Sequence, residues 1–305
     1  MSPMASETLP DLFPGFATRR TPVGDVEIFA RIGGEGPPLL LMHGFPQTHA
    51  CWRGLAPALA ERFTVVLPDL RGYGASSAPA PAPFGANYAK RAMAEDMVGL
   101  MTALGHERFG IIGHDRGGRV GYRLGLDHPD KLTRLAVLDI VPTHRMWAAM
   151  DARLAVKAYH WSFLAQPAPL PERLIGADPD FFLETTLASW TAGRSLAPFE
   201  GALDHYRAAF RDPARIAAAC GDYRAGAHVD ITHDEVDHIA GRRVAAPLLA
   251  LWGESGFPGE TEGPLETWRR WGAEVEGRAL KCGHFLPEEA PEETLRELLA
   301  FFARG

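Results

Sequence analysis

The run Gly113-His114-Asp115-Arg116-Gly117 constrains this chain more than any other five residues. Glycines two positions either side of a central residue permit a tight strand-to-helix turn, in which backbone and helix approach closely and the central side chain is thrust outward. The preceding Arg108-Phe109-Gly110-Ile111-Ile112 reads as a buried strand and residues 117 to 128 as a helix, so the turn has the context it needs. Nucleophile elbows commonly carry serine at the apex, and here the apex is aspartate. A carboxylate attacks saturated carbon and becomes an ester, whereas a serine alkoxide attacks a carbonyl.

The rest of the chain supplies the frame for such a turn. Residues 25 to 31 alternate like a half-buried strand, and apolar runs at 38 to 43, 63 to 68, 108 to 113, 134 to 140 and 247 to 252 read as buried strands. An alternating segment follows at 274 to 280. Helical patterns at 88 to 104, 117 to 128 and 290 to 303 lie between or after them, which predicts an α/β architecture with a parallel sheet covered on both faces. The stretch from Thr143 to Ile239 breaks this rhythm: it is rich in aromatic residues and prolines and lacks a buried strand. It reads as a helical cap, residues 143 to 239, inserted into a core formed by residues 1 to 142 and 240 to 305. The Pro/Ala run 78 to 86 reads as a semi-rigid connection.

Composition excludes several classes. A net charge of −7 without dense Lys/Arg tracts argues against nucleic-acid binding, which needs a concentrated basic face. No stretch approaches a membrane span, and Met1 to Phe16 lacks the basic start and apolar run of a leader. Three widely spaced cysteines, Cys51, Cys220 and Cys282, fit buried thiols in a reducing cytoplasm, and none has metal-ligand spacing.

Four motifs then fall in order: His43-Gly44-Phe45-Pro46, Asp69-Leu70-Arg71-Gly72-Tyr73-Gly74, Gly113-His114-Asp115-Arg116-Gly117-Gly118 and Gly283-His284-Phe285. In this sequence and spacing the chain resembles the α/β-hydrolases, in the branch that holds haloalkane dehalogenases and epoxide hydrolases. The resemblance implies a mostly parallel eight-stranded sheet with an inserted helical cap, and Asp115 as nucleophile. It assigns the backbone N–H groups of Phe45 and Arg116 to an oxyanion hole. His284, on a loop before the last helix, becomes the base that takes a proton from water as it attacks the Asp115 ester. An orienting acid is needed, and two residues compete: Asp139 at the end of an apolar strand, which is favoured, and Glu254 after the next one.

The neighbours of the elbow narrow the electrophile. Arg119 lies one helical turn beyond Arg116, so two guanidinium groups can serve one pocket and bind a planar carboxylate. Arg116 alone reads equally well as the partner of a structural acid. His160, Trp161 and Tyr223 carry N–H or O–H donors suited to a departing halide. With these residues the chain resembles the fluoroacetate dehalogenases within that branch. That resemblance implies displacement of halide from a haloacetate by Asp115, hydrolysis by water activated at His284, no metal or organic cofactor, and a homodimer. Rivals are an epoxide hydrolase, drawing its proton donors from Tyr159, Tyr206 and Tyr223, and a catalytically silent carboxylate-binding protein.

Overall fold

The computed structural model describes residues 9–261 and 263–304. Of the N-terminal stretch considered for a leader, positions 1 to 8 lie outside the described residues. The strands are β1 (Ala17–Val23), β2 (Val26–Gly33), β3 (Pro38–Met42), β4 (Thr64–Pro68), β5 (Phe109–His114), β6 (Leu132–Leu138), β7 (Leu248–Gly253) and β8 (Val275–Leu280). Among the described residues they form one sheet in the order β1-β2-β4-β3-β5-β6-β7-β8, antiparallel at β1-β2-β4 and parallel from β4 to β8. β5 is buried along its whole length, as its apolar run requires for a strand covered on both faces.

Two boundaries differ instructively from the sequence reading. β1 has no counterpart among the expected strands, because most of its residues are exposed and its Ala-Thr-Arg-Arg-Thr-Pro-Val sequence carries no apolar alternation. It is an edge strand, where Pro22 is tolerated, joined to β2 by the two-residue turn Gly24-Asp25. β6 ends at Leu138 rather than at Ile140, since Asp139 leaves the strand with a φ of 53°.

Register sets the level of the site. Met42 pairs with Gly113, Gly113 with Val137, Leu138 with Leu251 and Gly253 with Leu280, so β3, β5, β6, β7 and β8 end at one edge. The segments carrying Phe45, Asp115, Asp139, Phe257 and His284 all leave from there, the carboxyl edge at which parallel sheets present ligand sites.

Between β6 and β7 every regular element among the described residues from Thr143 to Ile239 is helical. Aspartates start three of these helices: Asp151 accepts from Leu154 N, Asp178 from Phe181 N and Asp212 from Ala214 N, the last two with proline next in line. This helical block closes over the carboxyl edge. Among the described residues no helix is long and apolar enough to cross a membrane. All three cysteines are buried free thiols.

Candidate active site

Asp115 sits between β5 and the elbow helix Arg116–Asp127 with φ 44° and ψ −113°, a conformation that L side chains rarely adopt. The turn holds because Asp115 N donates to Leu138 O at 3.1 Å and Gly117 N to His43 O at 2.9 Å. A β-carbon at Gly113 would stand 2.5 Å from Gly117 O, so the close approach itself demands the glycine. Phe45 N donates to Asp115 Oδ2 at 3.0 Å, which places that backbone donor beside the elbow carboxylate. Burial pushes the Asp115 carboxyl up, but the His284 ring and the Arg116 and Arg119 guanidinium groups outweigh it and hold the group well below the usual carboxylate range.

His284 and Asp139 form a buried pair. His284 Nδ1 lies 2.6 Å from Asp139 Oδ2, while its Nε2 is buried without a hydrogen bond. Asp139 is held in turn by Gly253 N, which donates to Oδ1 at 2.8 Å, and by Phe257 N at 3.4 Å from Oδ2. Gly256 leaves room for it, since a β-carbon there would collide with the carboxylate. Glu254, the competing acid, is exposed. Burial pulls the His284 imidazole down, yet the bond and charge of Asp139, with a further contribution from Asp115, lift it above its ordinary value.

The two arginines part company. Arg119 lines a small cavity together with Asp115, Asp139, His160, Trp161, Trp190 and His284. Its Nη1 donates to Val141 O at 2.9 Å and Thr143 Oγ1 at 3.2 Å, both neutral acceptors, and its Nε is buried without a partner. The Arg116 guanidinium instead lies 3.5 Å from the centre of the Tyr223 ring, off that lining, with its Nη1 3.6 Å from Asp222 Oδ1. Both guanidinium groups face the Trp161 ring, at 4.6 Å for Arg119 and 5.3 Å for Arg116. His160 packs 4.2 Å from Trp190 and 5.6 Å from Tyr223, and burial holds its pKa well below the usual imidazole value, so it is neutral. The cavity is small.

Several participants escape a reading by sequence. Asp222 is fully buried and takes the Tyr73 hydroxyl at 2.7 Å on one oxygen and the Lys90 ammonium on the other. Lys90 also faces Asp230 Oδ2 at 3.5 Å. Trp190, Met146 and Phe257 also line the cavity. Their one sequence signal is the adjacency of Asp222 to Tyr223. The Asp69 motif is structural: its carboxylate accepts from His49 N and Ala75 N, each at 2.8 Å.

An aspartate on an elbow, a His–Asp pair above it and a helical block inserted after β6 define a class, and the chain belongs to the α/β-hydrolase fold family, whose profile matches residues 37–291. A fluoroacetate dehalogenase from Burkholderia sp is 47% identical over 292 residues, 96% of this chain and 95% of that protein. A soluble epoxide hydrolase from Corynebacterium sp. (strain C12) is 34% identical, over 88% of this chain and 91% of the relative. Among solved structures, a mutant from Pseudomonas aeruginosa, provisionally described as an epoxide hydrolase and solved with bound MFA, is 49% identical with a TM-score of 0.90, covering 96% of this chain and 98% of that one.

Proposed function

We propose that this chain hydrolyses haloacetates, fluoroacetate to glycolate foremost, with residues 143 to 239 acting as a cap on the core. The observation that carries the reading is the Arg119 guanidinium, which shares a small cavity with the Asp115 carboxylate and spends its hydrogen bonds on neutral oxygens. A buried cation beside the nucleophile, with no ion-paired carboxylate among the described residues, suits an anionic substrate. Arg116 adds positive charge from behind Trp161 and Tyr223.

In the first step an Asp115 oxygen attacks the carbon bearing the halogen. A C–O bond forms, the C–F bond breaks, and fluoride leaves with its electron pair toward the donors of His160, Trp161 and Tyr223. Asp115 is ionised throughout the physiological range, so this step needs no base. In the second step water attacks the ester carbonyl while His284 Nε2 takes its proton, and the Phe45 and Arg116 N–H groups meet the oxyanion. Collapse restores the Asp115 carboxylate and releases glycolate and a proton. Alkylation also removes the negative charge of Asp115, one of the influences that raise the His284 pKa, and so shifts the imidazole toward the neutral form that the second step requires.

The narrow cavity favours a compact substrate. The likeness to a fluoroacetate dehalogenase supports the choice of halide over epoxide. So do the cap tyrosines: Tyr206 gives its hydroxyl to Glu288 at 3.0 Å and Tyr159 is exposed, leaving Tyr223 without a partner tyrosine for an epoxide oxygen. The test is a parallel assay with fluoroacetate and styrene oxide. Equal yields of fluoride and glycolate are expected, and diol formation without fluoride would establish the epoxide hydrolase instead.

A further inference from the structure

Three consecutive backbone N–H groups surround the base, and all are taken. Glu289 Oε2 accepts from Gly283 N at 2.9 Å and Glu289 Oε1 from Phe285 N at 2.9 Å, so one carboxylate bridges the two residues that flank His284. His284 N itself donates to Trp190 O at 2.9 Å. The same Glu289 Oε2 also accepts from Ala192 N at 2.8 Å, which ties the loop to the segment following the helix Pro179–Trp190. The packing leaves no slack: a β-carbon at Gly283 would lie 2.5 Å from Ala192 N, 2.5 Å from Trp190 O and 2.8 Å from Glu289 Oε1. The Trp190 ring stands edge-on to His284 at 5.4 Å and packs on His160, so the wall of the cavity and the base share this anchor.

We propose that Glu289 is a positioning residue for the second half-reaction, holding the His284 loop and the Trp190–Ala192 wall in one geometry so that Nε2 meets the water attacking the Asp115 ester. The inference rests on the two-step dehalogenase reading. Its force comes from the division of labour between the steps. Displacement of halide uses an ionised Asp115 and takes no proton to His284, so the aim of Nε2 matters less to it. Hydrolysis depends on it, and an error of about 1 Å in a reacting group costs up to roughly 100-fold. A carboxylate is suited to the task because it accepts from three N–H groups at once, and an amide of the same size has one oxygen to offer and an NH2 that opposes a backbone N–H.

Glu289→Gln and wild type are mixed with fluoroacetate, and fluoride and intact protein mass are followed through the first turnover and into steady state, beside a His284→Asn control. The expected result is a first-turnover fluoride burst within about threefold of wild type, followed by a steady state slower by about 10- to 100-fold, with the ester adduct on Asp115 accumulating. A steady state equal to wild type, or a burst and steady state reduced together, overturns the proposal. Should Glu289→Gln not fold, Glu289→Asp, which keeps the charge and withdraws the oxygens by one methylene, is read by the same two rates and the same adduct. The control separates the two ideas. Adduct in His284→Asn without adduct in the Glu289 variant overturns the Glu289 role alone, whereas absence of fluoride and adduct from wild type and control alike overturns the dehalogenase reading and this inference with it.

Discussion

His284 Nδ1 and Asp139 Oδ2 stand 2.6 Å apart, on residues 145 positions distant in sequence, with Nε2 of the same ring left free of hydrogen bonds. The bond fixes the tautomer: a proton held on Nδ1 leaves the Nε2 lone pair available to take one from water. Asp139→Asn presents an amide that can donate as well as accept and so permits the wrong tautomer. Steady-state turnover of fluoroacetate should fall by about 10³- to 10⁴-fold, with the ester on Asp115 accumulating. Glu254→Gln should change turnover by less than about twofold, since exposed charges away from the site contribute little. Mass spectrometry after a single turnover checks both.

The pH dependence follows from the same ring. The His284 pKa in the resting protein lies above the ordinary imidazole value, whereas Asp115 is held far below the carboxylate range. Ester hydrolysis should therefore rise with pH as His284 loses its proton, with no acid limb from Asp115 above about pH 4. Because alkylation cancels the Asp115 charge, the midpoint for ester breakdown in single turnover should lie below the pKa of His284 measured by NMR in the resting protein. Identical midpoints would contradict the electrostatic coupling. The linkage to stability has a definite sign: a raised folded pKa contributes stability that is full below the unfolded value of about 6.5 and lost as pH rises through the folded one.

Arg119→Met tests the recognition of an anion. The substitution keeps an unbranched apolar stem and removes a cation from the cavity wall whose side-chain hydrogen bonds among the described residues go to Val141 O and Thr143 Oγ1. Charge-assisted hydrogen bonds are worth about 1.5–3 kcal/mol, so kcat/KM for fluoroacetate should drop by about 10- to 150-fold. A neutral analogue, chloroacetamide, should lose far less. Equal losses for both substrates would show that Arg119 supports the cavity rather than the carboxylate.

What could be read from sequence was what is local. The elbow declares itself in five residues because the turn and its glycines are consecutive. The choice between Asp139 and Glu254 was not local. It depends on Asp139 turning out of β6 at positive φ and on Gly256 leaving space for its carboxylate, facts that join strands β6 and β7. The partners of Arg116 were equally hidden, since Asp222 meets Lys90 and Tyr73 across 132 and 149 positions. β1 was missed for the opposite reason: an exposed edge strand needs no apolar pattern, and so displays none.

The Asp222 cluster leads to a prediction about stability. Lys90 and Asp222 are both buried, and Asp222 is the counter-ion of two cations, Lys90 and Arg116, as well as the acceptor of the Tyr73 hydroxyl. Burial pushes the Asp222 carboxyl up, but Arg116 and Lys90 outweigh it and keep the group ionised. Asp222→Asn preserves shape and removes the charge, leaving Lys90 with Asp230 at 3.5 Å and Arg116 with aromatic faces. Removing one partner of a buried pair costs about 3–5 kcal/mol, because the remaining charge stays desolvated. Arg211→Gln, which breaks a solvent-exposed pair with Asp180, should cost less than about 1 kcal/mol. Urea denaturation of the two variants beside wild type measures the contrast. A loss for Asp222→Asn no larger than that for Arg211→Gln would mean that the cluster is hydrated, and that Arg116 draws no fixed orientation from it.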